Sequence, residues 1–477
     1  MQWRITVEAV DNTGDEFRKE FQIEKNLDGL ADGRLGCSIE DGKMIMAEIQ
    51  KAVVQRELDL WISYRRICRT CEGKQSIKDY QKRQILTVFG AVSVRYPRLV
   101  VCQKCYPWAS LTLSPATEIC PDRATPELLE ISASLGARMS YREASNILST
   151  FLPCHLPRKF TTLRHRTLAV GKRIDEVEQK RLWKERPDYG SRRQLELDLE
   201  DDLAREIVFN VDTAHIPLAK HFGGRSFEAV VGHCGRGGRG ETPGPVFAFE
   251  GTRPAELKAV ATLALAEQGY AGRGDITVIS DGEECLKRMG DMLPQPVNHI
   301  LDWFHISMKI QPLAQLAATA PGHADSFLES IERIKWRLWN GQPGRALTLI
   351  ASVQADLSDN GGENLWAWRA NKLLEALQTY IARNRTSVIN YAARYRAGQR
   401  IATSPAEASV NRLVARRFVK KQQMRWSRTG AHYLLKVRAA VLNGDLSKRA
   451  RYAPPANPVP GRVTALLEPT PPLLKAA

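Results

Sequence analysis

The stretch Ile207-Val-Phe-Asn-Val-Asp-Thr-Ala-His-Ile-Pro-Leu218 sets Asp212 behind an apolar run, and Asp275-Ile-Thr-Val-Ile-Ser-Asp-Gly-Glu-Glu284 does the same for Asp281. Short runs rich in β-branched residues, bounded by acids and glycine, read as buried strands. Between them, FEAVVGHC and PVFAFEG read as two more strands. The Gly-rich GRGGRGETPG that joins these two lacks the Lys-Ser/Thr of a phosphate-cradling loop and reads as a hairpin turn. Pro254 to Tyr270 and Glu283 to Leu293 are expected helices, and NHILDWFHI is expected as a fifth strand. Three strands followed by alternating helix and strand match a ribonuclease-H-like order, a mixed sheet with carboxylates at strand ends.

Two such aspartates present hard oxygen ligands at one sheet edge. Two magnesium (or manganese) ions shared between them would serve an in-line phosphodiester displacement. Each aspartate alone also fits a helix cap or turn former, and Asp281-Gly282 is a common turn. A third acid, Glu407, lies in Ile-Ala-Thr-Ser-Pro-Ala-Glu-Ala-Ser-Val-Asn-Arg412, where a helix is expected to run to about Trp426. At 100° per residue it shares a face with Val410, Val414 and Phe418. Ser404-x-x-Glu407 with Pro405 also fits a capping box.

Outward from this core, residues 1–62 are expected to form a hairpin, with Trp3, Ile5, Val7, Phe17, Phe21 and Ile23 as its apolar positions, and a helix from about Asp41 to Trp61. Residues 63–120 carry Cys68-Arg-Thr-Cys71, a polar loop, two strands broken at Gly90, and Cys102-Gln-Lys-Cys105. Two Cys-x-x-Cys pairs flanking a hairpin predict a zinc ribbon, a structural Zn site that staples a small sheet. A redox pair or packing cysteines are the alternatives. Over 121–190 three short helices are expected, starting at Thr125-Pro126, at Ser140-x-x-Glu143 and near Thr161. The last is basic, which suits a helix-turn-helix-like DNA-binding region as well as an ordinary bundle. The fold class is therefore multidomain α+β. A ribonuclease-H-like catalytic domain spans 195–306 and 401–447, split by a helical insertion at 307–400 that bears Trp336, Trp339, Trp366 and Trp368. A Pro-rich tail, 448–477, is expected to be disordered.

The charge is +16, and its placement says more than its size. Between Arg383 and Arg451 there are 17 Lys and Arg against only Glu407 and Asp445. Such a concentration favours a polyanion partner, with a solvated basic helix pair as the alternative. Phosphate contacts are expected from Arg416, Arg417, Lys420, Lys421 and Arg425, while Trp426 fits core packing better than base stacking. No apolar run reaches membrane-spanning length and the N-terminus reads as a strand, so a cytoplasmic, nucleoid-associated protein with no membrane partner is expected.

The succession of zinc ribbon, helical region, VDTAHI, VISDGEE, DWFHI and SPAEASVNRLVARRFVKKQQMRWS resembles DDE transposases of bacterial insertion sequences, of the ISKra type related to Mutator-like elements. The resemblance covers most of residues 60–445 and is most specific in its C-terminal block. It implies that Asp212, Asp281 and Glu407 form the catalytic triad. It also implies that Asp302-Trp-Phe-His305 is an Asp-x-x-His motif, with His305 beside the site and Asp302 behind it. The AEAS of this chain stands where relatives more often have VES, and the glutamate is kept. The implied function is metal-dependent cleavage at element ends and strand transfer to target DNA, by a homodimer or higher homo-oligomer on DNA. A ribonuclease-H-fold nuclease and a zinc-ribbon DNA-binding regulator are the rival readings.

Overall fold

The structure, a computed structural model, describes residues 2–449 except 11–15, 25–29, 31–32, 34, 69, 154–159, 185–204, 252–253, 271–273, 295, 319–323, 361–364 and 420–423. Lys420, Lys421, Cys154, the acidic stretch around Glu196 to Asp202 and the Pro-rich tail from residue 450 lie outside the described residues, while Lys448 and Arg449, expected to be disordered with that tail, end a short helix, Leu446–Arg449. The chain is mixed α+β and divides into two compact units, Met1–Val170 with Leu446–Ala477, and Gly171–Asp445.

In the first unit β1 (Gln2–Val10) pairs antiparallel with β2 (Glu16–Glu24), and the expected apolar positions meet across the ladder, Trp3 opposite Ile23 and Ile5 opposite Phe21. Helix α1 (Ile39–Arg65) starts two residues before Asp41, because Ser38 and Asp41 form a reciprocal capping box there. The antiparallel strands β3 (Ile77–Thr87) and β4 (Gly90–Val100) turn at Gly90, whose φ of +118° suits glycine. β3 starts well inside the expected polar loop. From Ile77 its positions alternate half-buried and exposed, a period of two that polar composition concealed. The short β5 (Thr112–Leu113) completes this sheet, and α2 (Pro115–Ile119) is tied to α1 by the bidentate Arg65–Glu118 pair at 2.8 and 3.0 Å.

Three helices follow, α3 (Pro126–Arg138), α4 (Tyr141–Phe151) and α5 (Phe160–Lys184). The first two begin where Thr125-Pro126 and Ser140 predict, and Ser140 Oγ accepts from the Glu143 N–H at 3.1 Å. The third is 25 residues long, not short. At Gly136 a Cβ would lie 2.4 Å from Thr167 Oγ1, so glycine lets α3 and α5 approach closely.

The second unit holds a five-stranded sheet of β6 (Ile207–Pro217), β7 (Ser226–Gly235), β8 (Val246–Glu250), β9 (Ile276–Ser280) and β10 (Val297–Leu301), in the order β10-β9-β6-β7-β8. β6, β7 and β8 run antiparallel to one another in turn, while β9 and β10 run parallel to β6. Strand periodicity divides the core. Ile207, Phe209 and Val211 face α6 (Pro254–Glu267) and α7 (Glu284–Met292). Val208, Ile279 and Ile300 face the opposite layer.

That layer is a ring of four helices, α8 (Trp303–Ala317), α9 (Ala324–Trp339), α10 (Pro343–Asn360) and α11 (Leu365–Arg383), each packed on the next and α11 back on α8. Trp303 meets Trp339 and Tyr391 at ring-centroid distances of 4.7 and 5.0 Å. Here the expected fifth strand ends early. Asp302 Oδ1 accepts the Phe304 N–H at 2.8 Å and caps α8, so Trp303, Phe304 and His305 are helical. After α12 (Tyr391–Arg396) the chain returns to the sheet, the Trp303 N–H donating to Ile401 O at 3.1 Å.

The helix expected to run unbroken to Trp426 is instead α13 (Ser404–Val410) followed by a π-helical stretch, Asn411–Val419. Arg438, from α14 (Arg428–Asn443), donates to the carbonyls of Leu413 and Arg412 in that wider coil. α14 lies along β8 and against the C-terminal part of α5, where Gly171 has the Tyr433 carbonyl oxygen 2.2 Å from a would-be Cβ. Buried His432 and Lys436 meet Asp175 and Glu178 at 3.1 and 2.6 Å. Among the described residues no helix is long and apolar enough to cross a membrane.

Candidate metal centres

The parallel ladders set three aspartates level. Asn210 pairs with Ile279 and Leu301 with Ser280, so two residues beyond Asn210 and one beyond Leu301 bring Asp212, Asp281 and Asp302 into one row. By the alternation of each strand the row is on the face that the four helices cover. Asp212 is not at the end of its strand, as expected. It is at the end of the parallel ladder, and β6 continues to Pro217 against β7 alone.

His305 stands one helical turn after Asp302. Its Nδ1 is 2.9 Å from Asp302 Oδ2, and its Nε2 is 3.8 Å from Glu407 Oε1. Asp302 is fully buried and both its oxygens are engaged, Oδ1 by the Phe304 N–H and Oδ2 by His305 and the Thr403 hydroxyl. Thr403 therefore fixes the start of α13 beside His305. Farther along the same helix Ser409 Oγ is 2.7 Å from His233 Nε2, on β7. Between these anchors Glu407 turns toward the row. The alternative capping box is not formed, since the N-cap is Thr403 and it makes no side-chain cap bond.

Ligand atoms of Asp212, Asp281 and His305 lie within 4.8 Å of one another, and so do those of Asp302, His305 and Glu407. Among the described residues Asp212, Asp281 and Glu407 alone do not form such a group; His305 belongs to both sets. Burial, reinforced by Asp281 and Asp302, pushes the Asp212 carboxyl up to about 6. Burial also raises Asp281, with Glu283 and Asp302 adding to it, and raises Glu407, with Asp302 and Asp212 adding to it. His305 is raised chiefly by its hydrogen bond to Asp302. Carboxyls raised by burial and crowded into one row fit a hard divalent cation, which would lower every one of these values. The acidic group could bind a metal.

A cleft of about 880 Å³ opens from this row and is lined by Asp281, Glu283, His305, Tyr380 and Asn384 together with Lys287, Lys309, Lys372 and Arg383. Sequence reasoning missed these four cations. Scattered over α7, α8 and α11, they share no spacing and converge only when the helices fold. It also missed Thr213, whose hydroxyl donates to Glu283 Oε2 at 2.9 Å, and Thr403, which only its neighbour Asp302 reveals.

Of the basic residues expected on DNA, Arg416 and Arg425 are exposed. Arg417 is not available: it is 2% exposed, with its guanidinium 5.3 Å from the centroid of Trp426. Trp426 is itself buried against Phe418, at 4.8 Å between ring centroids, which is core packing. Much of the C-terminal positive charge is engaged within the fold. Arg394 pairs with Glu206 at 2.8 Å, Arg400 donates to the Gly237 and Glu241 carbonyls, and Lys436 and Arg438 are buried.

In the first unit the thiols of Cys68, Cys71, Cys102 and Cys105 converge within 4.8 Å. Sulfur–sulfur distances are 3.9 Å for Cys68–Cys105 and 3.6 Å for Cys71–Cys102. Zinc–sulfur bonds of 2.3 Å at tetrahedral angles put sulfurs about 3.8 Å apart, whereas a disulfide needs about 2.05 Å. Glu72, at φ +56°, turns the chain so that Cys68 N–H meets Gly73 O at 2.9 Å. Burial opposes ionisation of Cys68, yet the N–H groups of Cys71 and Thr70 together with the Cys71 and Cys102 thiols outweigh it and bring the thiol down to about 7. Its neighbours' sulfurs push Cys105 up to about 12. The cluster could hold a structural metal such as zinc.

No known family model matches this chain, and no curated protein matches it.

Proposed function

We propose that the chain is a DDE-type DNA transposase, cleaving phosphodiesters at element ends and joining the freed 3′-hydroxyls to target DNA. The observation that carries the reading is the row of Asp212 and Asp281 met by Glu407, more than a hundred residues away in sequence, through the shared His305. A central strand with an antiparallel meander of two strands on one side and two parallel strands on the other is the order of ribonuclease-H-like sheets, and supports that assignment. The long helical segment between β10 and α13 agrees with the insertion that the family resemblance implies.

Bound there, two magnesium or manganese ions would supply activation of the nucleophile and stabilisation of the leaving oxygen. Asp212, Asp281 and Glu407 are the residues to hold them. Asp302 sits on Nδ1 of His305 and fixes its ring, so that Nε2 faces Glu407. In hydrolysis a water oxygen bonds to phosphorus and the P–O3′ bond breaks, leaving a 3′-hydroxyl. In joining, that hydroxyl oxygen bonds to a target phosphorus and a target 3′-oxygen leaves with the proton. The number of P–O bonds is conserved. Exposed Arg416 and Arg425 suit phosphate positioning, and α3 to α5 suit end recognition.

The test is a supercoiled plasmid carrying cognate ends, incubated with the protein and Mg²⁺. Joined products are expected. Nicking without joining would point to a nuclease, and a gel shift without either to a regulator. Asp212→Asn, Asp281→Asn and Glu407→Gln should each abolish cleavage while DNA binding persists; normal cleavage by one of them removes that residue from the triad.

A further inference from the structure

The end of the four-helix segment grips the turn that carries Asp281. The Tyr380 hydroxyl, near the end of α11, donates to the Asp281 backbone carbonyl at 2.8 Å. Four residues on, Asn384 packs against Gly282 so closely that a Cβ there would lie 2.5 Å from its Oδ1. Asn384 is 4% exposed and held by its Nδ2 bond to Tyr380 O at 3.0 Å. After it, Ser387 Oγ is 2.7 Å from His299 Nδ1, and His299 Nε2 is 2.9 Å from Ser280 Oγ. That hydroxyl also accepts the Gly282 N–H at 3.3 Å. Burial lowers His299 to about 4, so the ring is neutral, and one nitrogen donates while the other accepts.

Each residue from Ser280 to Gly282 is thus held by a different group from the helical segment or its relay, while Asp281 Oδ1 accepts the Glu283 N–H at 3.0 Å. Gly282, at φ +86°, lets the turn form but gives it no stiffness of its own. We propose that Tyr380 and the Ser387–His299 relay are positioning residues for the Asp281 carboxylate, so that the helical segment sets the geometry of a metal ligand it does not supply. The inference rests on the metal reading of the acidic row. Outer groups that orient a ligand typically govern 10–100-fold in metal affinity.

The test is Mn²⁺ binding to the full-length, zinc-loaded chain, read from the electron-paramagnetic-resonance signal of free Mn²⁺, with thermal melts alongside. Tyr380→Phe and Ser387→Ala remove one hydroxyl each and are expected to weaken Mn²⁺ binding about 10-fold or more. Ser387→Thr, which keeps the hydroxyl, should bind within about twofold of wild type. Asp281→Asn serves as the control for the reading and should lose this binding. Unchanged Mn²⁺ affinity in both hydroxyl deletions, with Asp281→Asn still defective, would overturn the positioning role alone. Unchanged affinity in Asp281→Asn would overturn the metal reading and this inference with it. A fall in melting temperature without a change in Mn²⁺ affinity would also count against it, since that is what a merely structural contact does.

Discussion

Asp212 shows what the row costs without a cation. Its carboxyl moves from 3.8 to about 6, chiefly through burial. Between those values the folded chain keeps a proton that the unfolded chain has released. Metal-free stability therefore falls as pH rises from about 4 to about 6, and the loss persists above that range. At neutral pH it is on the order of 1–3 kcal/mol. His305 has its pKa raised, so its contribution is complete below its unfolded value and disappears as pH climbs through the folded one. Asp212→Asn should raise the metal-free melting temperature at pH 7 by a few degrees and flatten the slope between pH 4 and 6. An unchanged slope would contradict the burial argument. Cation loading must displace the shared protons, so affinity should climb with pH through about 6. Calorimetric heats in buffers of different ionisation enthalpy would count the protons released.

The π-helical stretch after α13 separates two neighbouring arginines, with Arg416 exposed and Arg417 buried on Trp426. Arg416→Ala should lower the slope of log DNA affinity against log salt by about one and leave stability unchanged. Arg417→Ala should do the reverse, lowering the melting temperature with little effect on that slope. Equal effects on DNA affinity would refute the division. Much at this scale was legible in the sequence. β6 and β9 announce themselves because buried parallel strands are near-continuous β-branched runs. The cysteine pairs announce through spacing alone a cluster that could hold a metal. Illegible features depend on neighbours far away along the chain. β3 hides in polar composition, and β10 stops at Leu301 because Asp302 prefers to cap a helix over continuing a strand rich in aromatic residues. The pairing of Arg400, Lys436 and Arg438 inside the fold cannot be told from free positive charge by counting.

At the scale of the molecule, the two candidate metal centres belong to different compact units. A ligand stabilises the structure that contains its site. Adding Zn²⁺ should slow amide exchange across residues 66–113 and leave 207–301 as before, whereas Mn²⁺ should slow exchange at the ends of β6, β9 and β10 and leave 66–113 unaffected. Crossed responses would mean that the sites are misassigned. The hydrogen bond from Trp303 to Ile401 has its own consequence. A polypeptide that departs and comes home through one doorway leaves the strands indifferent to how far it travels, so α9 and α10 can lengthen or shorten while β10 and α13 stay put. What cannot change is the roof over Val208, Ile279 and Ile300. A transplanted helical bundle of another size should leave the chain soluble if it restores that apolar roof, and cause aggregation if it fills the doorway alone.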